Sequence, residues 1–354
     1  MPDAPRPSPG HRLRQPGRLP PRERLRRRAL LAILALPLPV LRTLFGEPPR
    51  NDRGVSLDAQ AHVMARLDAR IQPPLTGATP RRARAALKSG LGIVSGAPRA
   101  VDVRELSLEG LPARLYLPRV ASSPLLVFLH GGGWVAGDLD SHDPLCRRLA
   151  AARQWRDLSV AYRLAPEHPF PAGLDAAVAA FRHARTHAAD WGGDPARVAI
   201  GGDSAGGNLA AAACQRLRDE GHALPWLQLL AYPAVDQRCQ AESHRLFAEG
   251  YLLGAGDVAF YRAQYAAPDP LDPRASPLLA ADLTGLPPAV VLTAGFDPLR
   301  DEGEAYARAL RLAGVPTTWL DAADLLHGFL NMDGVLPAAE RELTRLEEVL
   351  LALA

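Results

Sequence analysis

The chain has 354 residues, of which 47% are hydrophobic and 22% charged. That is ordinary for a globular protein with ample apolar surface to bury. Three scattered cysteines, Cys146, Cys214 and Cys239, lack metal-ligand spacing, which excludes a disulfide framework and implies a reducing, cytoplasmic setting. The net charge of +3 is unevenly placed: residues 1–28 hold nine arginines against Asp3 and Glu23, a balance of +7, leaving the remainder at −4. Without interleaved aromatic residues, that basic head argues against a nucleic-acid partner.

The arginine- and proline-rich head, residues 1–28, is expected to be a disordered tail. The apolar run 29–36 follows, so the two together mimic a signal peptide. No small-x-small cleavage site follows, Pro37-Leu38-Pro39 interrupts the run, and a bilayer span needs about 20 apolar residues. The expectation is a tail leading into a helix without a stable membrane span; weak membrane-surface association and export are the alternatives. Val63, Leu67 and Ile71 recur at helical spacing and would face the core or a pocket. From Val101 onward strands alternate with helical patterns, the signature of a mostly parallel sheet covered by helices.

Residues 125–129 (LLVFL) read as a buried strand, and His130-Gly131-Gly132-Gly133-Trp134 forms the loop at its C-terminal end. A phosphate-cradling loop would need a following Gly-Lys-Ser/Thr, and the single lysine, Lys88, lies far away. Such a loop can instead offer backbone N–H groups to a developing oxyanion. His142 and Asp143 suggest a metal pair, but no third ligand stands at metal spacing, so they read as polar contacts at a helix start. Residues 165–171 (APEHPFP) read as a rigid connection, because proline fixes φ and removes a donor.

Val198-Ala199-Ile200 reads as a second buried strand, and residues 207–213 as a helix. Between them stands Gly202-Asp203-Ser204-Ala205-Gly206, a serine on a sharp strand-to-helix turn with its hydroxyl held out of the surface. Gly202 and Gly206 fit because the turn leaves no room for a Cβ. Asp203 has a plain reading as an acid at a helix start. If this is an α/β-hydrolase, an acid and then a histidine must follow this serine. Among the histidines after it, His222 closes the nucleophile helix too near the serine, and His244 precedes any good acid-bearing strand end. His327 follows the strand-like run 316–320 and has the right place. The acids Asp297, Asp301, Glu302, Asp321 and Asp324 compete. Residues 288–293 form a strong strand with Asp297 in the loop at its end. Asp301 and Glu302 fall in the first turn of the next helix, where acids favour the helix dipole; Asp321 and Asp324 share the loop of the histidine. Asp297 is the choice and Asp301 the second.

In this arrangement His327 takes the Ser204 proton as the hydroxyl attacks a carbonyl carbon, and Asp297 orients the imidazole. The N–H groups of Gly131, Gly132 and Ala205 would hold the oxyanion, each worth about 2.7–4 kcal/mol. Water then releases the acyl group, so no metal or organic cofactor is implied.

Five motifs, from His130-Gly131-Gly132-Gly133 and Tyr162-Arg163-Leu164-Ala165-Pro166-Glu167 through the Ser204 pentapeptide to Asp297-Pro298-Leu299 and His327-Gly328-Phe329, resemble the hormone-sensitive-lipase family. This is the bacterial family IV of esterases, in its Gly-Asp-Ser-Ala-Gly branch, and the similarity runs from about Leu36 to the C terminus. The resemblance implies an α/β-hydrolase fold with a helical cap, and hydrolysis of carboxylic esters with short to medium acyl chains. Its triad maps onto Ser204, Asp297 and His327, with His130, Gly133, Gly202, Asp203 and Gly206 as supporting motif positions. It also implies that the proline-rich segment buttresses the oxyanion loop. One departure is that residues 322–326 lack a glycine often found before the histidine.

The expected organisation is a cap from residues 29–96 with an insertion near 239–264, and a catalytic domain over 97–354. Trp134 would wall the pocket. The expected partner is a small-molecule ester, with a homodimer as an allowed assembly. Two rival readings are an amidase or peptidase using the same triad, and a non-catalytic ligand-binding homologue.

Overall fold

The computed structural model describes residues 19–71, 74–120 and 122–353. Four helices come first: α1 (Pro21–Leu34), α2 (Leu38–Phe45), α3 (Ala59–Ile71) and α4 (Pro80–Val94). Then follow β1 (Asp102–Leu108), β2 (Leu111–Leu117), β3 (Ser123–Leu129), α5 (Asp143–Arg153), β4 (Arg156–Val160) and α6 (Ala172–His187). The region around Ser204 comprises β5 (Gly193–Asp203), α7 (Ala205–Asp219) and β6 (Gln228–Ala231). The remainder comprises α8 (Glu242–Leu246), α9 (Ala255–Tyr265), β7 (Ala289–Phe296), α10 (Arg300–Leu312), β8 (Thr317–Leu326) and α11 (Pro337–Leu353).

All eight strands lie in one sheet, ordered β1-β2-β4-β3-β5-β6-β7-β8. The β1–β2 and β2–β4 pairings are antiparallel, and every pairing from β4 to β8 is parallel. A parallel sheet is covered on both faces, so its strands are apolar without alternation. In β3, Leu125, Val127 and Leu129 pack towards α6 and α7, while Leu126 and Phe128 pack towards α5 and α11. β4 lies on one side of β3 and β5 on the other, so the connections diverge there and leave a crevice at the carboxyl ends of the strands. The 130–134 loop and Ser204 both emerge into it.

Two expectations change. Residues 21–28, assigned above to a disordered tail, belong to α1; residues 1–18 lie outside the described residues. Pro21 opens this helix with a preset φ. Arg27 then ties it down, donating to the carbonyls of Ile93 (2.8 Å), Ser95 (2.5 Å) and Gly334 (3.2 Å). β8 also runs well beyond residue 320, so Asp321 and Asp324 stand in a strand rather than on the histidine's loop. Asp-Ala-Ala-Asp has low β propensity, but its ladder with β7 overrides that preference.

Candidate active site

Ser204 forms the turn between β5 and α7 at φ 56° and ψ −117°, a strained conformation for a residue with a Cβ. Its N–H donates to the Ala231 carbonyl at 2.9 Å, which anchors the turn to β6. A Cβ on Gly202 or on Gly206 would collide with the Leu129 carbonyl. Both flanks of the serine are therefore glycine because β3 passes directly beneath.

His327, just past β8, reaches back over this turn. Its Nε2 lies 3.0 Å from Ser204 Oγ, and its Nδ1 lies 2.7 Å from Asp297 Oδ2. Asp297 follows β7, is fully buried, and accepts the Leu299 N–H on its other oxygen at 2.8 Å. The Tyr232 ring meets the imidazole edge-on, with centroids 4.8 Å apart. The competing acids are engaged elsewhere. Asp301 accepts from the Ser243 N–H (2.8 Å) and from Arg300 (2.7 Å). Glu302, pushed up by burial, accepts the Val235 N–H at 2.7 Å and faces His244 Nε2 at 2.8 Å. Asp321 meets Thr293 and Asp324 meets Arg341. His222 stands beside Glu220, away from the serine.

The oxyanion loop corrects one expectation. The Gly131 N–H is already engaged, donating to Asp203 Oδ1 at 2.7 Å. One N–H cannot also serve an oxyanion, so Gly131 leaves the donor set. The N–H groups of Gly132 and Gly133 have no partner among the described residues, and both glycines line the same cavity as Ser204 and Ala205. Asp203 is therefore more than an acid at a helix start. It also approaches His142 Nε2 (3.4 Å) and receives Asn331 Nδ2 (3.4 Å). Burial pushes the Asp203 carboxyl up, but His142 and the Gly131 N–H bring it below its usual range. Asp143 turns the other way, to Arg114 (3.0 Å) and Arg147 (2.7 Å).

His130 is buried, and burial with His142 nearby lowers its pKa to about 4. Tyr162 stacks on it, with ring centroids 4.5 Å apart, and donates to its carbonyl at 2.9 Å. The sequence offers no sign of Arg84, which joins α4 to this loop. From α4 it donates to the Val135 (2.8 Å) and Ala165 (3.1 Å) carbonyls and forks onto Glu167 (2.8 and 2.5 Å).

Over Ser204 and His327 lies a cavity of about 1370 Å³ with Gly132 also in its wall. Leu30 and Ile33 of α1, Leu87 and Leu91 of α4 and Tyr261 of α9 supply apolar surface to it. Trp134 lines it too, 4% exposed, stacked on Tyr265 at 4.4 Å and donating to Asn208. Chemically, the arrangement joins an activated hydroxyl, a base with a buried orienting carboxylate, free backbone donors and an apolar chamber.

Residues 126–331 match the family described as having the α/β hydrolase fold. The chain belongs to the α/β-hydrolase fold family. Similarity within it falls among carboxylic ester hydrolases. This hydrolase is 52% identical over 245 residues to carboxylic ester hydrolase LipN of Mycobacterium tuberculosis, the match covering 66% of this chain and 65% of the relative. It is 38% identical to the ethyl acetate hydrolase of Pseudomonas putida, over 76% of this chain and 88% of that protein. Among solved structures, an ester-hydrolase from the Lake Arreo metagenome superposes with a TM-score of 0.79 at 40% identity. It covers 82% of this hydrolase and 96% of its own chain, and holds a bipyridine phosphonate derivative. Among the described residues, no single helix of this hydrolase is long and apolar enough to cross a membrane.

Proposed function

We propose that this hydrolase is a serine carboxylesterase acting on short- to medium-chain esters of small-molecule alcohols. The carrying observation is the chain of contacts from Ser204 Oγ to His327 Nε2 (3.0 Å) and from Nδ1 to buried Asp297 (2.7 Å). In this reading His327 accepts the hydroxyl proton as Ser204 attacks the ester carbonyl, and Asp297 stabilises the imidazolium. The tetrahedral oxyanion is held by the N–H groups of Gly132, Gly133 and Ala205, each contributing about 2.7–4 kcal/mol. The positive end of the α7 dipole adds to that field. His327 returns the proton to the leaving alcohol, and water then repeats the sequence on the acyl-enzyme. A cavity of about 1370 Å³ exceeds the roughly 300–1,000 Å³ usual for small ligands, so medium chains fit. The three free thiols fit a reducing, cytoplasmic compartment.

The test is hydrolysis of p-nitrophenyl esters of increasing acyl length by the wild type and by Ser204→Ala. Turnover peaking at short to medium chains and lost in the variant is the expected result. Turnover unchanged by S204A would sink the reading. Matched amide substrates separate the amidase alternative, which shares every group named.

A further inference from the structure

Helices α1 and α2 meet at 109° and form an elbow at the cap's outer edge. Its inner side is packed: Leu34 and Leu41 are buried, α1 lies on α4, and α2 lies on α3. Its outer side is apolar and bare. Six of the eleven exposed large apolar side chains among the described residues fall within residues 25–44. They include Leu25 (69% exposed), Leu38 (51%) and Leu44 (55%). Arg22, Arg24, Arg26 and Arg28 are exposed on the same α1, whose single acid is Glu23. The preceding sequence adds Arg6, Arg12, Arg14 and Arg18 against Asp3 alone.

We propose that the α1–α2 elbow is a docking surface for an anionic lipid bilayer. Arginines beside bare leucines match phosphate headgroups next to acyl chains, the composition by which interfacial helices lie flat in a membrane surface. A second copy of this chain fits poorly, because pairing elbows would bring two heads of +7 together. The opposite side of α1 supplies Leu30 and Ile33 to the cavity over Ser204. Docking therefore sets a cavity wall against the lipid. Access for lipid-borne esters would follow, and only that consequence rests on the catalytic reading.

The experiment is co-sedimentation of the full chain with phosphatidylcholine vesicles, with and without about one-third phosphatidylglycerol. Binding to the anionic vesicles that weakens with salt is expected, with little binding to phosphatidylcholine alone. R24Q with R28Q should weaken it about 25-fold, at about fivefold per arginine. L38S with L44S should weaken it about as much through lost apolar burial. These four side chains are exposed and outside the cavity, so thermal unfolding and turnover of a soluble ester should stay unchanged in both variants. No binding to anionic vesicles at low salt would overturn the proposal, as would binding that both variants retain. A concentration-dependent dimer abolished by L38S with L44S, without vesicle binding, would make the elbow a self-interface and also overturn it.

Discussion

Asp203, the residue immediately before Ser204, accepts the Gly131 N–H at 2.7 Å. The Ser204 turn and the glycine loop are thereby locked to each other by one buried carboxylate. This bond occupies the Gly131 N–H, whereas the N–H groups of Gly132 and Gly133 have no partner among the described residues.

Asp203→Ala should therefore act on turnover rather than on substrate binding. It leaves the Gly131 N–H and His142 without their buried acceptor, and the loop that must meet the oxyanion loosens. We expect kcat to fall about tenfold to a hundredfold while KM changes little. Asp203→Asn, which keeps one acceptor oxygen, should recover part of the loss. Steady-state kinetics on a soluble ester decide it, and a rise in KM with unchanged kcat would contradict the role.

Asp297, the acid of the proposed triad, can be separated from its neighbour in the same assay. Asp297→Asn should lower kcat by about 10⁴-fold, because an amide at this position favours the wrong imidazole tautomer. Asp301→Asn should stay close to wild type in kcat, since Asp301 serves Ser243 and Arg300 instead. Similar losses in the two variants would reopen the assignment.

His130 predicts a pH dependence of stability. Its pKa falls from 6.5 to about 4 in the folded state, chiefly by burial. The unfolded chain thus binds more protons between those values, and stability rises with pH across the window. This contribution is complete above pH 6.5 and is lost as pH falls towards 4, by on the order of 3 kcal/mol. Asp157, pushed up by burial against the pull of Arg153, has the opposite sign. The clean readout is therefore the difference between wild type and His130→Asn in urea unfolding at pH 7 and pH 5. The variant should lose less stability than the wild type on acidification. Equal losses would remove His130 from the account.

The cavity wall offers a test of chain-length selection. Ile33 of α1 and Leu87 of α4 both line the chamber over Ser204. Replacing either by Trp fills space that a longer acyl chain would occupy, so the p-nitrophenyl ester optimum should move to shorter chains. Turnover of the acetate ester should stay within a few-fold, because the triad is untouched. An unchanged profile in both variants would place the acyl chain elsewhere.

The Ser204 turn was legible in the sequence because its signal is local. A strand, Gly202, Ser204, Gly206 and a helix occupy one short stretch, and steric exclusion against β3 allows little but glycine at the flanks. The strand runs before His130, Ser204 and Asp297 were equally readable, since parallel strands buried on both faces are apolar throughout. Chain order narrowed the histidine candidates to His327, whose Nε2 lies 3.0 Å from Ser204 Oγ. The Asp301, Glu302, Asp321 and Asp324 alternatives differ from Asp297 only in where their side chains point, and tertiary packing alone sets that. Similarly, three adjacent glycines look alike as a sequence, and only the placement of the Asp203 carboxylate takes Gly131 out of the donor set. Arg84 carried no signal because its partners lie 51 and 81–83 residues away. The arginine-rich residues 21–28 read as tail because composition counts charge, whereas their helix is held by Arg27 on distant carbonyls of Ile93, Ser95 and Gly334. Sequence by itself determined the kind of chemistry, through short-range sterics and chain order. Tertiary structure decided which donors, acids and apolar walls surround the serine, because those depend on contacts between residues far apart in the chain.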